Sequence, residues 1–175
     1  NPVSGVMHAD PAQSSIRLRA FVDGQSDRLE VIGGRYCNNA AQGIFVAGAG
    51  RFRVQGPEVR DNGGNQVQVS YTRDGELDRL QVSGGPRMGI SAASGGGRLV
   101  ISNCHVERAA WRGISVAEWT GAELDRNSVY DCGASDPGSA KAGIHVSAIL
   151  RPTITRNRVS QPASNTTTLF GIYAE

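Results

Sequence analysis

Two stretches decide the fold: Gly113–Asp131, GISVAEWTGAELDRNSVYD, and Lys141–Gln161, KAGIHVSAILRPTITRNRVSQ. Both carry Gly-Ile-x-Val, a short gap, an aliphatic residue, two spacers, Asn, one spacer and Val. A chain that repeats such a phrase is built from stacked copies of one unit. Working outward, the residue after the glycine recurs as Ile44, Val67, Ile90, Ile114, Ile144 and Ile172. A second column runs Val31, Val54, Leu77, Ile101, Leu124 and Ile154, and a third runs Tyr36, Val59, Val82, Val106, Val129 and Val159. Most steps are about 23 residues, and the longer ones fall toward the C-terminal end.

The segments around the first two columns alternate apolar and polar residues, the mark of a strand with one buried face. No apolar stripe of helical spacing persists, so the chain reads as all-β. Three short strands per unit make one turn of a solenoid, each strand pairing in parallel with its equivalent one period later. Identical positions then stack about 4.8 Å apart, and the Ile/Val/Leu columns become a continuous core. Asn127 and Asn157 occupy the bend between the second and third segments. Asn tolerates a left-handed backbone there, and its side chain can satisfy the backbone of the neighbouring coil. Gly34, Pro57, Leu80 and Cys104 hold this position in earlier coils, so the ladder is partial and Cys104 reads as a small buried substitute for Asn.

Composition narrows the function classes. A chain of 175 residues with 39% hydrophobic content forms one domain with a core of its own. Its net charge is +2 with the basic residues dispersed, which argues against a nucleic-acid partner. No apolar run is long enough to span a membrane. Cys37, Cys104 and Cys132 fit no metal-ligand spacing and read as free thiols, and no metal or cofactor is implied. Residues 1–15 form an N-terminal segment and residues 16–175 the repeat domain, opening with the alternating Ile16, Leu18, Ala20 and Val22. Neither end carries a polar cap, which points to a fragment of a longer chain.

Gly143-Ile144-His145-Val146 followed by Ile154-Thr155-Arg156-Asn157-Arg158-Val159 resembles the right-handed parallel β-helix of the pectate-lyase-like superfamily. The resemblance covers roughly Ile16 to Tyr173 and is specific for fold rather than activity. It implies a polysaccharide partner. The expected function is binding, with degradation by a glycoside hydrolase or lyase, in a tailspike-like setting. A non-catalytic carbohydrate-binding, adhesin or structural module and a uronate C5-epimerase are the alternatives. A tailspike would be a homotrimer, extracellular as a secreted or virion component.

Stacking turns sequence columns into surface lines. On the outer face of the first sheet one line reads Phe45, Gln68, Ser91, Ser115, His145 and Tyr173, and the next ends in Ser147 and Glu175. The two long insertions, Asp131–Ala142 and Ser160–Phe170, precede the strands of His145 and Tyr173. Long loops on a regular scaffold are favoured places for binding and catalysis. Trp119 and Glu118 are expected on the opposite wall, with Trp119, Trp111 and Tyr173 offering flat faces to sugar rings. Trp119 should then be removable with little loss of stability.

Two chemistries compete. Elimination or epimerisation at a uronate needs a base, a proton donor and a neutralising cation, and His145, Tyr173 and Arg112 or Lys141 supply those types. Hydrolysis needs two carboxylates at a suitable separation. Glu118 and Asp136, with Asp131, are one candidate set. Asp78 and Asp125, two coils apart on the second sheet and so about 9.6 Å, are another. Ser115 completes the expected substrate-binding line.

Overall fold

In the computed structural model, which describes residues 16–19, 28–135, 142–163 and 170–175, the chain is a parallel β-solenoid with three faces. Among the described residues seven strands stack in the first sheet and six in each of the others, every pair parallel. The three sequence columns are the registers of these sheets. Ile90 pairs with Ile114 and Ile114 with Ile144; Ile101 pairs with Leu124; Val106 pairs with Val129. All of these side chains are buried. Among the described residues there is no helix. The opening strand is Ile16–Arg19; Ala20 and Val22 lie outside the described residues.

Most corners between sheets turn at a single residue with a left-handed backbone, and Gly33-Gly34 and Gly84-Gly85 turn at two. Gly48, Tyr71, Ser94, Glu118 and Ala148 end the first-sheet strands; Gly33, Gly56, Arg79, Asn103, Arg126 and Arg156 end those of the second; Asn38, Asp61, Gly84, Arg108 and Asp131 end those of the third. A left-handed non-glycine residue costs about 1–2 kcal/mol. The corner offsets this by keeping its amide in the inter-coil lattice: Arg79 N–H donates to Ser102 O at 3.1 Å and Arg126 N–H to Thr155 O at 3.2 Å.

This corrects one expectation. Asn127 and Asn157 are not the left-handed residues; Arg126 and Arg156, just before them, are. The asparagines do form the ladder. Asn127 Oδ1 accepts from Cys104 N–H at 3.0 Å, and Asn127 Nδ2 donates to Ile101 O at 2.9 Å. Asn157 repeats this one coil on, accepting from Asn127 N–H and donating to Leu124 O. Cys104 Sγ continues the column by facing Leu77 O at 3.6 Å, so it does stand in for Asn. Burial pushes its thiol, and that of Cys132, up to about 12.

A second ladder, not foreseen, closes the corner after the third sheet. Asn62 Oδ1 accepts from Asn39 N–H and Nδ2, and Asn62 Nδ2 donates to Tyr36 O. The next coil has Gly85 at this position. Gln66 swings into the vacancy, and its Oε1 accepts from Asn62 N–H and Nδ2. An added Cβ on Gly85 would lie 1.9 Å from Gln66 Nε2, so the glycine is the space the glutamine fills.

Asn127→Ala would leave Cys104 N–H and Ile101 C=O buried without partners. The expected loss is about 1–3 kcal/mol for each orphaned group, read by denaturant unfolding. Unchanged stability would mean that the ladder does not hold the corner.

Candidate functional site

Three consecutive first-sheet rungs bring four of the nine expected residues together: Ser115, His145 and Tyr173, with Arg112 beside them. The strands Ile114–Ala117, Ala142–Ser147 and Phe170–Ala174 pair so that Ser115 faces His145 and His145 faces Tyr173. The outward line read from the sequence therefore exists. His145 and Tyr173 rings stack at 5.6 Å with 14° between their planes, and Phe170 leans on Tyr173 at 5.3 Å. Arg112, at the approach to the Ser115 strand, places Nη1 3.3 Å from His145 Nδ1. Glu175 places Oε1 3.4 Å from His145 Nε2 and accepts from the Tyr173 hydroxyl at 3.2 Å.

These partners assign the imidazole tautomer. A guanidinium can only donate, so Nδ1 of His145 is the acceptor and the ring proton sits on Nε2, toward Glu175. His145 is 5% exposed and Ser115 8%, whereas Arg112 and Tyr173 are half-buried and Glu175 is exposed. Arg112, Tyr173 and Glu175 are thus reached from solvent before the imidazole. Glu175 was not among the expected site residues. Its signal was the column beside His145, where Ala47, Ser70, Ala93, Ala117 and Ser147 change at the last rung to a carboxylate.

Other expected residues fall elsewhere. Trp119 is 2% exposed and offers no face to a sugar. The physical reason is Gly95, one coil earlier in the same corner column, whose missing side chain leaves room for the indole. An added Cβ there would sit 2.2 Å from the Trp119 ring. Trp119 is a core residue, not a wall of the groove. Glu118 is exposed in the same corner and accepts from Ser94 Oγ at 2.7 Å. Trp111 is half-buried, with the Arg87 guanidinium 5.2 Å over its ring. Asp136 and Lys141 lie outside the described residues, as does most of the second insertion.

The second-sheet carboxylates are unsuited to acid catalysis. Burial works to raise the Asp78 pKa, but hydrogen bonds from Asn103 at 2.8 Å and Ser102 at 3.1 Å, with Arg79 beside them, outweigh it and hold the carboxyl below its ordinary value. Asp125 is held down chiefly by a two-point bond from Arg156, 2.8 and 2.7 Å, helped by Thr155 and Arg126. A general acid needs a raised pKa so that it carries a proton at working pH. Both carboxyls are ionised and committed to structure. Among the described residues no three His, Cys, Asp or Glu side chains gather to hold a metal ion, and no helix is long and apolar enough to cross a membrane.

Comparison with known proteins gives one result. The family model described as "Right handed beta helix region" matches residues 20–173. No curated protein and no solved structure matches the chain.

Trp119→Ala is expected to cost about 3–5 kcal/mol as a large-to-small core change. Gly95→Ala should cost about 1–3 kcal/mol by overpacking. The pair should be non-additive, because removing the indole frees the space the new methyl needs. Thermal unfolding of the two single variants and the double variant checks this. Additive losses would separate the two positions.

Proposed function

The chain belongs to the right-handed β-helix family, and we infer that it is a polysaccharide-associated member that takes an acidic sugar chain on the outer face of its first sheet. The observation that carries this reading is the gathering of Arg112, His145, Tyr173 and Glu175 at consecutive rungs. Earlier rungs of the same line hold Arg17, Phe45, Gln68 and Ser91 instead. Gln68 is bonded to Gln42 and Asn65 at 2.9 and 3.3 Å, an ordinary structural contact.

The residue types support elimination at a uronate. Arg112 supplies the cation that neutralises the carboxylate of the sugar and so acidifies the adjacent C–H. Turning toward that carboxylate, Arg112 releases the Nδ1 lone pair of His145. The imidazole is then a base able to take the C5 proton. The C–H electron pair becomes the C4=C5 double bond as the C4–O bond breaks, and the leaving oxygen takes a proton from the Tyr173 phenol. Return of a proton to the opposite face of C5 instead gives the epimer without chain cleavage. Hydrolysis is the less supported chemistry, because Asp78 and Asp125 cannot serve as acids and Glu118 is directed at Ser94.

Binding without reaction is a second reading, favoured by the burial of His145 and the occupation of both its ring nitrogens. The tailspike-like setting, extracellular or virion location and homotrimer rest on the family resemblance, which supplies the motif but not the partner.

Incubation with a panel of acidic and neutral polysaccharides separates these readings. The expected result is new reducing ends together with the ultraviolet absorbance of an unsaturated uronate. Reducing ends without that absorbance would mean hydrolysis and contradict the proposed roles. C5 inversion without cleavage would mean epimerisation, and retention of the polymer without product would mean an adhesin. Arg112→Ala and His145→Ala are each expected to weaken turnover or binding tenfold or more, about 1.4 kcal/mol. Gln68→Ala should leave both unchanged. Equal behaviour of all three variants would place the site elsewhere.

A further inference from the structure

The outer face of the second sheet carries a slot that the first-sheet site does not use. Its outward column reads Arg28, Arg51, Asp74, Arg98, Gly121 and Arg151, in register from rung to rung. Gly121 is the one rung without a side chain. The gap is a cavity of about 400 Å³ lined by Arg98, Thr120, Gly121, Glu123, Arg151 and Thr153. Arg98 also borders an open groove of about 490 Å³ along the same face. The slot and this trough, which runs along the solenoid axis, meet at Arg98.

The chemistry of the lining is selective. Arg98 and Arg151 stand two rungs apart, about 10 Å, on either side of the glycine floor. Arg98 is paired with Glu123, whereas Arg151 is exposed and has no ion-pair or hydrogen-bond partner among the described residues. Thr120 donates its hydroxyl proton to Gly96 O at 2.8 Å and keeps its lone pairs for an incoming donor. The slot thus presents one uncommitted guanidinium, a carboxylate that accepts from hydroxyls, and threonine hydroxyls. A guanidinium binds planar oxyanions through two parallel N–H bonds. Glu123, with Asp74 and Glu76 further along the trough, is out of place for a nucleic-acid backbone, which would meet repulsion at the rungs these carboxylates occupy.

We propose that this slot is a second saccharide site that holds one anionic sugar residue, its carboxylate or sulfate on Arg151 and its ring over Gly121, with hydroxyls on Glu123 and Thr153. The neighbouring trough receives the rest of the glycan. This site is independent of the first-sheet reading: it needs neither Arg112 nor His145 and requires no reaction.

Titration of the isotope-labelled protein with short uronate oligosaccharides, sulfated disaccharides and neutral oligosaccharides of the same length tests it. Amide shifts should appear at Gly97, Thr120 and Gly121 with the anionic ligands, and the uronate and sulfate arms identify which anion is preferred. Arg151→Ala should weaken binding there tenfold or more. Gly121→Val should abolish it by filling the floor, and the fold accommodates the change: the nearest atom to an added Cβ is Arg151 O at 3.9 Å and the backbone is not left-handed. Arg112→Ala should leave these shifts intact while affecting the first-sheet site. Equal binding of the neutral ligands, unchanged binding by Arg151→Ala, or shifts confined to the surroundings of Arg112 and His145 would each overturn the proposal.

Discussion

The parallel hydrogen-bond lattice between coils is the constraint on which everything else depends. Its amides run through the corners as well as the strands: Gly56 N–H donates to Asp78 O, and Asn103 N–H to Asp125 O. A coil cannot slip against its neighbour without breaking all three faces together. Every side chain is therefore committed to a column with a fixed spacing of about 4.8 Å. Between neighbouring coils, volume is shared. Phe52 fills the space of Gly75, Gln66 that of Gly85 and Trp119 that of Gly95, and an added Cβ at each glycine would come within 1.9–2.2 Å of the neighbour. At these positions a large side chain on one coil occupies the space left by a glycine on its neighbour, whereas the aliphatic columns stack Ile, Leu or Val rung upon rung.

Charge obeys the same geometry. Arg35 pairs with Glu58, Arg53 with Glu76 and Arg98 with Glu123, each pair one rung apart. Exposed pairs of this kind contribute about 0–1 kcal/mol; their larger effect is to avoid stacking like charges. The alternation stops in two places. The first-sheet line ends in Arg112, His145 and Tyr173 around Glu175, and the second-sheet column leaves Arg151 facing a glycine gap. The first place sets one guanidinium, Arg112, against an imidazole, a phenol and a carboxylate, and the second leaves one guanidinium, Arg151, without a side-chain partner among the described residues.

The regular part of the molecule was legible because its period is a direct consequence of stacking. Ile114, Ile144, Leu124 and Val129 could be assigned to columns from spacing alone, and Ser115, His145 and Tyr173 followed. What spacing could not reveal was volume exchange between rungs. Trp119 lies next to the outward-facing Glu118 and looks exposed in sequence; only its neighbour Gly95, 24 residues earlier, explains why it turns inward. The left-handed corners were equally hidden, since Arg79, Arg126 and Arg156 are polar residues with no conformational signature of their own. Asp78 and Asp125 resembled a catalytic pair because the arginines that bind them, Arg79 and Arg156, come from corners whose direction the sequence does not specify.

Distances along one outward column test the stacking most directly. Arg35, Gln81 and Arg158 are exposed on the third sheet, two and then three rungs apart through the registers that link them. Spin labels placed pairwise at these positions, in a Cys37→Ser background, should give separations that add along a line. The end-to-end distance should be about 24 Å and the two parts about 10 and 14 Å, with allowance for the label linkers. Distances that fail to add, or an end-to-end separation shorter than the longer part, would contradict the in-register stack and with it the assignment of every site residue to its line.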